Sequence, residues 1–178
     1  MKAFSLVLLV CLLTLVPAAA RAELSVGSPA PSFTAAAALG GKDIAFDLTA
    51  ALTKGRVVVY FYPKSFTSVC TEEARLFAEA MDEFETLGAS VIGISMDTIE
   101  TQREFSRLGC RDKFPVGADP DGRIVRAYDA ARAGRAMASR TSYVIAPTGK
   151  IQAVLTASDA ESHVQFALKS IRETKPIR

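Results

Sequence analysis

The stretch from Arg56 to Tyr62, RVVVYFY, most constrains how this chain folds. It is an unbroken run of β-branched and aromatic residues. It does not alternate polar with apolar, so neither face of the strand it predicts can meet water. Such a strand needs cover on both sides, and Pro63 ends it. A second run of the same kind, ASVIGISM from Ala89 to Met96, predicts another buried strand.

The segments between and after these runs supply the cover. Ala74, Phe77, Ala78, Met81, Phe84 and Leu87 recur at helical spacing, predicting one helix over Ser68–Leu87 that stops at Gly88. Asp97 or Thr98 caps a second helix running to Leu108, and Gly109 ends it. DPDG, Asp119–Gly122, is a turn before a short helix over Ile124–Tyr128. Arg140–Leu155 predicts two strands around Pro147-Thr148-Gly149, and Ser158 or Asp159 caps a last helix through Ile171. Upstream, Gly27–Phe33 is extended because its prolines disfavour helix, and Ile44–Leu48 alternates like a short half-buried strand. Strand, helix, strand, helix, hairpin, helix implies an α/β fold. Its central mixed sheet is flanked by helices on both faces, the thioredoxin-like arrangement.

The amino terminus reads as a leader. Lys2 precedes the apolar run Phe4–Val16, and Ala20-Arg21-Ala22 resembles a cleavage site. The apolar run is shorter than the about 18–20 residues that span a bilayer, so a membrane anchor is disfavoured. A lipoprotein role for Cys11 is disfavoured too, because the apolar run continues past it. The expected division is a signal peptide over residues 1–22 and one domain over residues 23–178, exported to the periplasm of a bacterium. Removing Lys2 and Arg21 from 21 basic residues leaves 19 against 19 acidic ones. A net charge of zero gives no basic bias toward nucleic acid, and no membrane partner is expected after cleavage. Cys70 and Cys110 remain, too few for a disulfide scaffold but enough for one disulfide in an exported protein.

Cys70 falls in the first turn of a helix that follows a buried strand. Free amides and the positive helix end favour an anion there. A free thiol is only about 3% thiolate at pH 7. Lowering a thiol's pKa from its usual value to near 6 takes roughly 3.4 kcal/mol. A helix terminus supplies about 0.3–1 kcal/mol, and at most ~2. Glu72 and Glu73 oppose it, so a reactive Cys70 requires a cation from elsewhere in the fold. Thr67, three residues earlier, stands where a dithiol oxidoreductase would carry a second cysteine. A hydroxyl cannot form a disulfide, but it can donate to a thiolate and accept from a hydroxylic substrate. The spacing therefore favours a thiol that accepts a small electrophile.

FYPKSFTSVCTEEA resembles the peroxidatic motif of peroxiredoxins, P-x-x-x-T-x-x-C. VGSPAPSF, GASVIGISMD and RTSYVIAPTGKI resemble further segments of that family, so the resemblance covers nearly the whole exported chain. It is nearest the bacterioferritin-comigratory, or PrxQ-like, subgroup of the AhpC/TSA superfamily. The resemblance implies a thiol peroxidase acting on hydrogen peroxide and organic hydroperoxides. Cys70 would be the peroxidatic thiolate and Thr67 would align the peroxide. Arg140 would be the required cation, Pro63 would shield the pocket, and Glu73 would orient the arginine. Amides of Val69 and Cys70 would complete the site. No cofactor is implied, and neither metal, haem nor flavin. The expected partners are a peroxide and a thioredoxin-like or other thiol reductant, with the protein a monomer or dimer.

Each residue alone has a plainer role. Thr67 is a natural helix cap, Arg140 a strand-end charge, Glu72 and Glu73 good first-turn residues, and Pro63 a strand terminator. The subgroup's frequent resolving position, five residues after Cys70, holds Arg75, and the tail SIRETKPIR has no cysteine. Cys110 is left as the candidate resolving thiol, or else as an inert buried one. A disulfide needs Cα atoms within about 7 Å, so local unfolding around either cysteine is expected during turnover. Two other functions stay open: a thiol–disulfide oxidoreductase of the same fold, and a non-catalytic domain with a static Cys70–Cys110 disulfide.

Overall fold

The computed structural model describes residues 24–173. In chain order the elements are β1 Thr34–Leu39, β2 Lys42–Asp47, α1 Leu48–Leu52, β3 Arg56–Phe61, α2 Ser68–Glu79, α3 Met81–Thr86 and β4 Ala89–Ser95. They continue as α4 Ile99–Leu108, β5 Val116–Ala118, α5 Arg123–Ala127, β6 Thr141–Ile145, β7 Ile151–Thr156 and α6 Ala160–Glu173. The expected signal segment lies outside the described residues.

All six residues of β3 are buried, as the unbroken apolar run requires. It lies inside one seven-stranded mixed sheet of order β2-β1-β5-β4-β3-β6-β7. β3 runs parallel to β4 and antiparallel to β6; β4 and β5 are parallel, and β6 and β7 form the closing antiparallel hairpin. The pleat sends Val58, Tyr60 and Tyr62 to one face, where α2, α4 and α6 contribute Phe77, Phe105 and Leu168. Val57, Val59 and Phe61 face the other side, against Leu48 of α1 and Val125 of α5. The thioredoxin-like α/β arrangement is thus observed, with helices on both faces.

The strand β5 and the short helix α1 were not expected, and three other parts of the chain differ from expectation. β1 is a strand although TAAAAL favours helix by propensity. Pairing on both sides, to β2 and β5, overrides that preference. Its small buried side chains also let α4 pack closely over it. Gly40 and Gly41, both at positive φ, make the tight turn to β2. β2 itself starts earlier than Ile44 and is an almost wholly exposed edge rather than half-buried. The single helix expected over Ser68–Leu87 is two, broken at Ala80. No glycine or proline marks the break. It occurs where Phe77, Met81 and Phe84 must all reach the same core.

Candidate active site

β3 delivers the chain to the site. Tyr62 N–H still pairs with Ile94 O at 3.1 Å, after which Pro63, which has no N–H, ends the ladder. The loop that follows is pinned from below. Ser65 N–H donates to Asp97 Oδ2 at 2.7 Å, and Tyr62 OH donates to Gln102 Oε1 at 2.8 Å. Gln102 Nε2 in turn donates to Ser95 Oγ at 2.8 Å and to Gly117 O at 3.1 Å. Ser95 Oγ donates to Asp97 Oδ2 at 2.8 Å. This buried polar network ties the loop to β4, β5 and α4. Sequence reasoning missed it; the one available signal was a glutamine on the apolar stripe of an otherwise amphipathic helix.

Phe66 then adopts a left-handed conformation, φ 64°, and its ring packs edge-on against Phe105 with centroids 5.2 Å apart. That turn starts α2. Thr67 stands at the N-cap position, yet its side chain makes no capping bond. Its hydroxyl donates instead to Lys64 O at 2.9 Å and stays exposed. Pro63 is half-buried at the other end of the loop. Cys70 sits in the first turn of α2, where backbone N–H groups have no acceptor within the helix. Its side chain is buried, with 2% of the residue exposed.

Arg140, just before β6, brings the cation. Its Nη2 donates to Cys70 Sγ at 3.3 Å, and its Nη1 donates to Glu73 Oε2. Cys70 and Glu73 are three residues apart on α2 and so share a face, which lets one planar guanidinium reach both. Burial works against the charge of Arg140, but Glu73 and the cysteine outweigh it and raise its pKa. Glu73 is fully buried, and burial pushes its carboxyl up to about 8 against the pull of Arg140. Glu72 is held apart from the thiol, exposed and paired with Arg75 at 2.5 Å.

Five of the six expected site residues, Pro63, Thr67, Cys70, Glu73 and Arg140, therefore lie on one loop, one helix turn and one facing strand end. Cys110 does not join them. It follows α4, is fully buried in the apolar layer on the same sheet face as Cys70, and is free, as Cys70 is. Burial pushes its thiol well above the ordinary range, so it stays protonated in this fold. The next two residues, Arg111 and Asp112, both take left-handed backbone at φ 51° and 59°.

Comparison with known proteins agrees with this geometry. Residues 26–154 match the model of the AhpC/TSA family. The chain is 35% identical over 140 residues to the putative peroxiredoxin YkuU of Bacillus subtilis, covering 74% of this chain and 77% of that protein. It is 34% identical over 131 residues to alkyl hydroperoxide reductase C of Escherichia coli, covering 71% and 70%. Among solved structures, peroxidoxin BcpB of Mycobacterium tuberculosis superposes with TM-score 0.78 at 26% identity, covering 86% of this chain and 100% of that one. A buried cysteine held by an arginine at a helix start, on a fold and sequence shared this widely, places the chain in the AhpC/TSA family as a peroxiredoxin, a thiol peroxidase.

Proposed function

We propose that Cys70 is the peroxidatic cysteine and that this peroxiredoxin reduces hydrogen peroxide and organic hydroperoxides. The observation that carries this is the Arg140 Nη2 to Cys70 Sγ bond at 3.3 Å, made at a helix amino terminus. A charge-assisted bond of this kind contributes roughly 1.5–3 kcal/mol. The guanidinium and the positive end of α2 both favour an anion on this sulfur. The thiolate attacks the outer peroxide oxygen and the O–O bond breaks. The leaving alkoxide or hydroxide takes a proton, and Cys70 becomes a sulfenic acid. Arg140 and the amides of Val69 and Cys70 stabilise charge on the peroxide oxygens. The Thr67 hydroxyl aligns the substrate, Pro63 screens the pocket from water, and Glu73 orients Arg140.

Cys110 is the proposed resolving thiol: its sulfur displaces water from the sulfenic acid to give a Cys70–Cys110 disulfide. Both thiols are buried and unbonded in this fold, so the step runs through local opening. The paired left-handed residues after Cys110 make that segment the place to open. A thiol reductant, thioredoxin-like or another dithiol, then restores the enzyme. The proposal extends to a PrxQ-like subgroup assignment, to export after removal of residues 1–22, to a periplasmic domain over residues 23–178, and to a monomer or dimer without a cofactor.

Rapid-mixing peroxide reduction tests this. Cys70→Ser should abolish the reaction. Cys110→Ser should keep the first turnover and lose the intramolecular disulfide seen by mass spectrometry. Full activity in Cys70→Ser would overturn the assignment, and an unaltered cycle in Cys110→Ser would establish a one-cysteine mechanism.

A further inference from the structure

In the proposed cycle Cys110 leaves the core, and the segment around it contains the groups that hold it in. Gly109 and Cys110 are buried, Arg111, Asp112 and Lys113 are exposed, and Phe114 returns to the core. Backbone bonds tie this loop to itself and to α4: Cys110 N–H donates to Phe105 O at 3.1 Å, Asp112 N–H to Ser106 O at 3.0 Å, and Lys113 N–H to Cys110 O at 3.0 Å. Arg111 and Asp112 are both left-handed, a conformation that residues with a Cβ keep only where their surroundings hold it.

Two side chains of the loop reach across to other helices. Arg111 Nη1 donates to Glu79 Oε1 at 3.0 Å, and Lys113 Nζ lies 3.7 Å from Asp82 Oδ1. The second contact is longer, and Asp82 is 90% exposed, so it holds little. Glu79 is the last residue of α2, whose first turn carries Cys70. Arg75 Nη1 donates to both Glu79 oxygens at 2.6 Å, and Arg75 Nε donates to Glu72 at 2.8 Å. Glu72, Arg75, Glu79 and Arg111 therefore form one line of alternating charge. It runs along α2 from the turn that holds Cys70 to the residue that follows Cys110. The links to Arg75 join neighbours on one helix face. The Arg111–Glu79 link joins residues 32 apart and exists only while the Cys110 loop is docked.

We propose that the Arg111–Glu79 ion pair is a clasp that sets the rate at which Cys110 reaches oxidised Cys70. Arg111 is a positioning residue: it acts through the cysteine before it. With the pair made, the left-handed loop is held against α2 and the thiol stays buried. With the pair broken, the loop relaxes outward and carries Cys110 with it. The disulfide forms from this open state, so its rate follows the open population. The Cys70 S–O bond breaks as the S–S bond forms, and the Cys110 proton leaves in the water released. Peroxide attack itself is outside the clasp's reach, because Glu79 lies at the opposite end of α2 from Cys70. The two side chains are 53% and 45% exposed, so salt screens the pair. The inference rests on Cys110 being the resolving thiol.

Rapid mixing of the reduced full chain with one equivalent of hydrogen peroxide tests it, with the sulfenic acid and the disulfide followed separately by quenching and mass spectrometry. Arg111→Gln removes the charge and keeps the left-handed backbone. It should speed disulfide formation about two- to fivefold, the range of an exposed ion pair, and leave sulfenic acid formation at the parental rate. Arg111→Lys keeps the charge and should stay near the parental rate. Glu79→Gln should match Arg111→Gln, and the double variant should gain nothing more, because one pair is lost only once. Raising salt from about 10 mM to about 1 M should speed the parent and leave Arg111→Gln unchanged. Equal disulfide rates in the parent and Arg111→Gln, or single effects that add in the double variant, overturn the proposal. Should a variant not fold, the parent's salt response carries the test, and a flat response overturns it. No Cys70–Cys110 disulfide in any of these proteins would instead remove the resolving role of Cys110.

Discussion

Replacing Arg140 by lysine separates its two functions. The guanidinium bonds Cys70 Sγ through Nη2 and Glu73 through Nη1 at the same time. A lysine ammonium keeps the charge but is a single point on a shorter reach. It can serve one of the two partners, and the buried Glu73 oxygens are the better acceptors. The expected loss is one charge-assisted bond to sulfur, roughly 1.5–3 kcal/mol, which is about 10- to 150-fold in the rate constant of the peroxide step. Arg140→Ala removes the charge as well and should lose at least as much as the upper end of that range. The assay is single-turnover peroxide reduction under pseudo-first-order conditions, with folding checked by thermal melting. A rate within twofold of the parent in Arg140→Lys would refute the claim that the fork to sulfur matters. Equal losses in lysine and alanine would show that geometry, and not charge, carries the effect.

Other consequences concern the scaffold. Gln102→Leu keeps the volume but strips the acceptor from Tyr62 and the donor to Ser95 and Gly117. Urea unfolding should show a loss of about 2 kcal/mol, with slower peroxide reduction as the Pro63–Thr67 loop loosens; unchanged stability would contradict the network's role. At Gly93 an added Cβ would lie 2.6 Å from Tyr60 Cζ and 2.7 Å from its hydroxyl. Gly93→Ala should therefore cost about 1–3 kcal/mol, read as a lower melting temperature. Stability should also fall with rising pH. Glu73 is raised in the folded state, so its contribution is present at low pH and is lost as pH rises toward about 8. His163, lowered from 6.5, acts in the opposite sense and only below that pH. Between about pH 6.5 and 8 the parent should lose melting temperature relative to Glu73→Gln, and parallel curves would exclude the raised carboxyl.

Burial leaves a trace in the sequence where it is two-sided. β3 and β4 were legible because continuous apolar runs tolerate no other placement, and the later helices because their stripes keep a 3.6-residue period. β1 was hidden because alanine carries little strand signal and its pairing partners are distant in sequence. The break at Ala80 was hidden because no residue there disfavours helix. At the site, Thr67 and Cys70 were readable as a local spacing. The need for a cation followed from the size of the thiolate term, but its identity as Arg140 came from resemblance, since Arg140 and Cys70 are joined only by folding. Thr67 sits at the cap position without capping, a distinction of side-chain direction that spacing does not encode. Gln102 was invisible as a support of the site because its partners come from several separate elements.

The central claim is that Cys70 is oxidised by peroxide and Cys110 is not. Treating reduced Cys110→Ser, and separately Cys70→Ser, with one equivalent of hydrogen peroxide in the presence of a sulfenic-acid trap tests it, with the adduct located by peptide mass spectrometry. The expected result is a stoichiometric adduct on Cys70 in the first protein and none in the second. An adduct on Cys110, or an unmodified Cys70, would contradict the account.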